Sequence, residues 1–154
     1  MKADFARTLA AEILAVQEFV ALLKEEKEVL SGSRLEALDR IVAEKSRLAG
    51  KLEAIGKQRQ AWLLHAGIEE KNDAIEQWLA SLGDPRLLQG WKKLHALAQE
   101  AKALNELNGQ CITLLAHNNQ QLLDTLTGRA GKGIFYGPDG RTSGTGSFRI
   151  VDAV

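Results

Sequence analysis

Apolar residues in the first segment of this chain fall at Leu9, Ile13, Val16, Val20, Leu23 and Leu30, with Lys27 filling the one missing place. Steps that alternate between four and three residues put these side chains on one face of an α-helix. Phe19 and Leu22 widen the stripe to the breadth a bundle helix needs. The spacing recurs at Leu38, Ile41, Leu48, Leu52, Ile55 and Trp62, interrupted by Lys45 and Arg59. A third stretch carries it through Leu87, Trp91, Leu94, Ala98, Ala101, Asn105, Asn108, Ile112, Leu115, Asn119, Leu122 and Leu126. Up to Tyr136 there is one proline, Pro85, and β-branched residues are sparse beside Ala, Leu, Glu, Lys and Gln. Helix is favoured nearly everywhere.

Punctuation divides the helices. The first is predicted from about Ala3 to Leu30, roughly 40 Å at about 1.5 Å per residue. Ser31-Gly32-Ser33 breaks it, and Ser33 with Glu36 forms a capping box for the second. So short a link implies an antiparallel hairpin. Gly50 and Gly56 inside the second helix each cost about 1 kcal/mol against alanine, for which close helix packing is the expected reason. Gly67 ends that helix, and a shorter amphipathic piece runs from about Asp73 to Leu82 with Ile75, Trp78, Leu79 and Leu82 facing one way. Asp84-Pro85 restarts the chain, Asp as N-cap and proline in the first turn, for a helix to about Thr127. The expected fold is all-α: an elongated antiparallel bundle or coiled coil of three long helices and one short one over residues 1–128. A flexible tail is expected over 129–154, since the stretch from Gly128 onward holds seven of the 14 glycines.

Composition excludes several classes of function. The 154 residues suffice for one modest core. Acidic and basic side chains number 20 each, so no global field gathers nucleic acid or anionic lipid. From Gly128 onward Arg129, Lys132, Arg141 and Arg149 outweigh Asp139 and Asp152, too small an excess for a nucleic-acid arm. Asp4, Arg7, Glu12 and Glu18 interrupt the apolar residues a signal peptide would need, and no run approaches a membrane span. The single Cys111 suits a reducing compartment.

Catalytic constellations are not apparent. His65, His95 and His117 have no i, i+4 pairing among them, so no metal and no cofactor are assigned. Gly128-Arg129-Ala130-Gly131-Lys132-Gly133 lacks the glycine a phosphate loop needs at Leu126 and the hydroxyl it needs at Gly133. Cys111, beside Ile112, reads as an inert thiol without an activating base.

Two features instead suggest binding. Asn105 and Asn108 place amides in the third seam, where asparagine either sets register inside a bundle or meets a partner in a groove. Gly109 beside them lets another helix approach closely. Phe135 and Tyr136 precede a Pro138-Asp139-Gly140 turn, an arrangement that either docks an aromatic anchor on a partner or folds back onto the bundle.

These residues resemble the FlgN-type export chaperones of bacterial flagella. Leu104, Asn105, Asn108 and Gly109 match that family's Leu-Asn-x-x-Asn-Gly pattern, and Tyr136, Gly137, Asp139, Gly140 and Thr142 match its Tyr-Gly-x-Asp-Gly-x-Thr tail. The acidic, Leu-rich first helix and Ala43-Glu44-Lys45-Ser46 in the second are also similar. Cys111-Ile112 stands where the family usually places two leucines. The resemblance implies a cytoplasmic chaperone that holds the C-terminal segments of hook–filament junction proteins, prevents their early assembly and delivers them to the membrane-bound type III export gate. Cargo would lie along the last helix, at Leu104, Asn105, Leu107, Asn108, Gly109, Ile112, Leu115, Leu122 and Leu126. Phe135, Tyr136, Gly137, Asp139 and Gly140 would dock on the cytosolic domain of the gate. No nucleic acid, no membrane insertion and no catalysis are expected. The alternative is a self-associating coiled-coil adaptor, a homo-oligomer whose seams are filled by a second copy.

Overall fold

The computed structural model describes residues 1–32 and 34–128. Ser33 and the tail expectations, Phe135, Tyr136, Gly137, Asp139 and Gly140 among them, lie outside the described residues. The described residues form four α-helices in order: α1 (Lys2–Ser31), α2 (Leu38–His65), α3 (Asn72–Ser81) and α4 (Pro85–Thr127). A 3₁₀ turn, Leu35–Ala37, precedes α2, and the described residues contain no strand. The chain is a helical bundle.

α1 lies between α2 and α4. Pairs between Glu25 and Arg40, Glu18 and Lys51, and Glu12 and Arg59 run α2 antiparallel to α1. α4 instead runs parallel to α1, since Gly90 meets Leu9 and Ile13 near its start and Asn108 meets Leu23 and Glu26 further along. α3 closes the end where α1 and α4 begin. Phe5 packs edge-on against Trp78 with centroids 5.0 Å apart, and the Trp91 indole donates to Asn72 Oδ1 at 2.8 Å.

Being central, α1 buries more than one seam. Its buried set includes Phe5, Leu9, Glu12, Val16, Phe19, Leu23, Glu26 and Leu30, a strict alternation of four and three. Lys27, expected to fill a seam position, is exposed; Glu26 takes the place. The register begins one turn earlier, at Phe5, and charged residues at two of its positions hide it from a reading of apolar residues alone.

Termination follows the expected chemistry in places. At the end of α2, Gly67 has φ +71°, its N–H donates to the Leu64 carbonyl, and the Ile68 N–H reaches back to Leu63 at 2.9 Å. This is a Schellman closure, which needs a left-handed residue at that point. Asp84 caps α4 by accepting from the Arg86 N–H at 3.1 Å, with Pro85 in the first turn. The hairpin link differs. The N-cap of α2 is Ala37, with no side-chain cap hydrogen bond, and the 3₁₀ turn leads the chain into the helix; the expected capping box includes Ser33, outside the described residues.

Gly50 and Gly56 also have another explanation than the expected one. A Cβ at either would meet nothing within 4 Å. Close approach occurs instead at Gly90, where a Cβ would stand 3.3 Å from Leu9 Cδ2. Gly50→Ala is therefore expected to raise stability by about 0.5–1 kcal/mol, through helix propensity and a less flexible unfolded chain. Urea denaturation measures it, and a destabilised variant would mean that Gly50 does lie against a neighbour.

Candidate partner-binding site

Two polar clusters tie the three long helices together, and both depend on residues that interrupt apolar seams. In the first, Arg59 of α2 pairs with the fully buried Glu12 of α1 and lies 5.6 Å from the centre of the Trp91 ring of α4. Glu70 adds a second carboxylate 3.7 Å from the guanidinium. Burial pushes the Glu12 carboxyl above its ordinary range, with the charge and hydrogen bond of Arg59 opposing that rise. In the second, the Lys45 ammonium of α2 lies 3.1 Å from Glu26 Oε1 and donates to Asn105 Oδ1 at 2.9 Å. Asn108 donates to Glu26 Oε1 at 2.8 Å and to the Leu23 carbonyl at 2.9 Å. A carboxylate of α1, a cation of α2 and amides of α4 thus meet inside the bundle.

This geometry sorts the residues expected to bind a partner. Asn108 is fully buried, with both N–H donors committed to α1. Of the two roles open to it, its contacts are those of a register-setting amide. Asn105 and Leu104 are half-buried beside it, and Ile112 is buried in the core. Asn108 and Ile112 present almost no surface in this arrangement, whereas Leu104 and Asn105 keep part of theirs.

Further along, the seam continues without a neighbour. Asn108 sits opposite Leu23 and Glu26, and α1 ends at Ser31. α4 proceeds unbroken past Asn108-Gly109 to Thr127, where Gly128 caps it in the left-handed region at φ +62°. Ala116–Thr127 therefore projects past the α1–α2 hairpin by about 18 Å. Along it Leu122 is 58% exposed and Leu126 73%, while Leu115 at its base is half-buried. Leu114 and Leu123, 60% and 51% exposed, join them; sequence reasoning did not include these two. A signal existed: from Leu107 to Leu123 the chain has no Asp, Glu, Lys or Arg. A helix surface meant only for water is seldom so free of charge, and charge depletion marks the cores of interfaces.

The sequence matches the family model described as FlgN protein over residues 1–144. The chain belongs to the FlgN family. FlgN is a family of flagellar chaperones. A crystal structure of a Pseudomonas aeruginosa protein, described as a flagella synthesis protein FlgN, is similar in fold with a TM-score of 0.64. It is 22% identical, and the match covers 69% of this chain and 84% of that one. No curated protein matches the sequence.

The FlgN motif on α4 consequently does two things in this protein. Asn108 anchors the helix to α1 and Asn105 accepts from Lys45 of α2, while Leu107, ahead of the projecting half, is already 41% exposed. Gly109 lies half-buried between them. Among the described residues no cluster of three His, Cys, Asp or Glu side chains could hold a metal ion, and no helix is long and apolar enough to cross a membrane.

Proposed function

We propose that this FlgN-family protein is a cytoplasmic flagellar export chaperone. It holds the C-terminal segments of hook–filament junction proteins on the projecting half of α4, prevents their early polymerisation and delivers them to the type III export gate. The observation that carries this reading is the leucine run from the half-buried Leu115 to the exposed Leu122 and Leu126, which extends the bundle's own seam beyond the last helix able to cover it. An amphipathic segment of cargo laid on that seam would bury the surface that the body leaves bare. Nothing in the reading needs a reaction, so the protein acts by binding. Phe135, Tyr136, Gly137, Asp139 and Gly140 form the second site, for the cytosolic domain of the gate, and the bound complex works transiently at the membrane.

Calorimetric titration with C-terminal fragments of the junction proteins tests the assignment. The account expects saturable 1:1 binding that Leu122→Asp weakens at least tenfold, since a carboxylate would replace a leucine in an apolar contact. Tyr136→Ala should leave cargo affinity unchanged while abolishing binding to the gate domain. Equal loss of both would overturn the two-site arrangement. A tight dimer that no junction fragment can open would favour the self-associating adaptor.

A further inference from the structure

From Leu114 to Leu126, across the base and the projecting half, α4 carries leucines over a wider arc than one helix can cover. Successive residues of an α-helix are about 100° apart, so Leu114 and Leu123, nine positions apart, point about 180° away from each other. Leu115, Leu122 and Leu126 fill the arc between them. A helix that packs on one neighbour needs an apolar stripe little more than about 100° wide. An arc of about 180° belongs to a helix packed between two neighbours, as α1 is packed between α2 and α4 in the body of this protein.

Three observations define the occupant. The seam is continuous with the internal α1–α4 interface, through Asn108, Ile112 and Leu115, so what covers it occupies the place of a bundle helix. The absence of formal charge from Leu107 to Leu123 leaves nothing to pair with a charged contact face. The exposed amides Asn118 and Asn119 lie amid the leucines and provide neutral hydrogen-bonding groups.

We infer that the cargo engages α4 with two amphipathic helical segments, one on the Leu114 flank and one on the Leu123 flank, whose contacting faces are apolar and uncharged. The inference rests on the cargo reading above and adds the form and chemistry of what is held. The projecting half becomes the third helix of a bundle completed by the cargo, so a single cargo helix leaves one flank wet. Binding by burial of apolar surface without ion pairs also makes the affinity nearly independent of salt.

The test is titration of the full chain, wild type and the variants Leu114→Gln and Leu123→Gln, with a C-terminal fragment of a hook–filament junction protein at low and high sodium chloride. Both side chains face solvent in the free protein, so both variants should keep the wild-type helical circular dichroism and melting. Each substitution is expected to weaken binding about tenfold or more, the losses should combine in the double variant, and the wild-type affinity should change less than threefold with salt. If one flank is silent while the other matters, a single helix binds and the inference falls with the cargo reading intact. A tenfold weakening by salt would overturn the uncharged face. If the wild-type chain binds no junction fragment, the cargo reading fails and takes the inference with it. If the variants instead convert a dimer to a monomer in sedimentation and leave cargo affinity unchanged, the occupant is a second copy and the inference is overturned.

Discussion

Arg59→Met is expected to destabilise the protein by about 3–5 kcal/mol at neutral pH, the usual consequence of stripping one partner from a buried ion pair. Glu12 is fully buried, and its Oε2 has no hydrogen-bond partner among the described residues. Methionine fills much of the volume but leaves the carboxylate in an apolar interior without its cation. The pH dependence follows from the direction of the Glu12 shift. Burial raises the folded-state pKa above the ordinary 4.5, and Arg59 is what opposes the rise. Removing Arg59 raises it further. The folded variant then takes up a proton at a pH where the unfolded chain has not, so its stability increases as pH falls from neutral through the raised folded-state value towards 4.5. Urea denaturation at pH 7 and pH 5 should show the deficit of Arg59→Met, relative to wild type, shrinking at the lower pH. Adding Glu12→Gln should remove that dependence. A deficit below about 1 kcal/mol, or one equal at both pH values, would mean that Glu12 is not the group left stranded.

Asn108→Asp is expected to be nearly as damaging, about 3 kcal/mol or more. The substitution is almost isosteric, which isolates its chemistry. The asparagine N–H₂ donates to the Glu26 carboxylate at 2.8 Å and the Leu23 carbonyl at 2.9 Å. A carboxylate there presents oxygen to both, facing a like charge and a carbonyl dipole with no donor of its own. Asn108→Leu loses the same two hydrogen bonds but brings no charge, and should cost about 1–2 kcal/mol. The separation between the two variants in denaturation midpoints is the diagnostic. Similar losses would place Asn108 outside the buried network.

The two substitutions concern positions that the heptad pattern flags as defects. Lys45, Arg59, Asn105 and Asn108 were legible as polar residues on apolar seams, and the helices that carry them were legible from spacing, glycines and the Asp84-Pro85 cap. Their partners were not. Glu12 and Glu26 look like ordinary surface glutamates until α1 is placed between two helices, because a residue's fate on a central helix depends on seams contributed by both neighbours. Gly50 and Gly56 escaped for a related reason: sequence shows that a side chain is missing, but not whether anything stands where it would be. Gly90, equally plain in sequence, is the one that Leu9 approaches.

The candidate site was half legible. The seam from Asn105 to Leu126 follows one helix face, yet spacing alone cannot say how far neighbouring helices extend along it. That depends on the lengths of α1 and α4 and their offset, which bury Ile112 and expose Leu122 and Leu126. Leu114 and Leu123 lie off the seam, and only their exposure together with the run lacking charge makes them part of the surface.

Amide hydrogen exchange along the chain tests most directly whether the projecting half of α4 holds the cargo. A single helix standing in solvent should exchange quickly in the free protein, while the buried body stays protected. With saturating junction-protein fragment, the account predicts strong new protection over residues 114–127 and little change over 1–104. Protection confined to the α1–α2 hairpin, or none on α4 despite saturable binding, would contradict it.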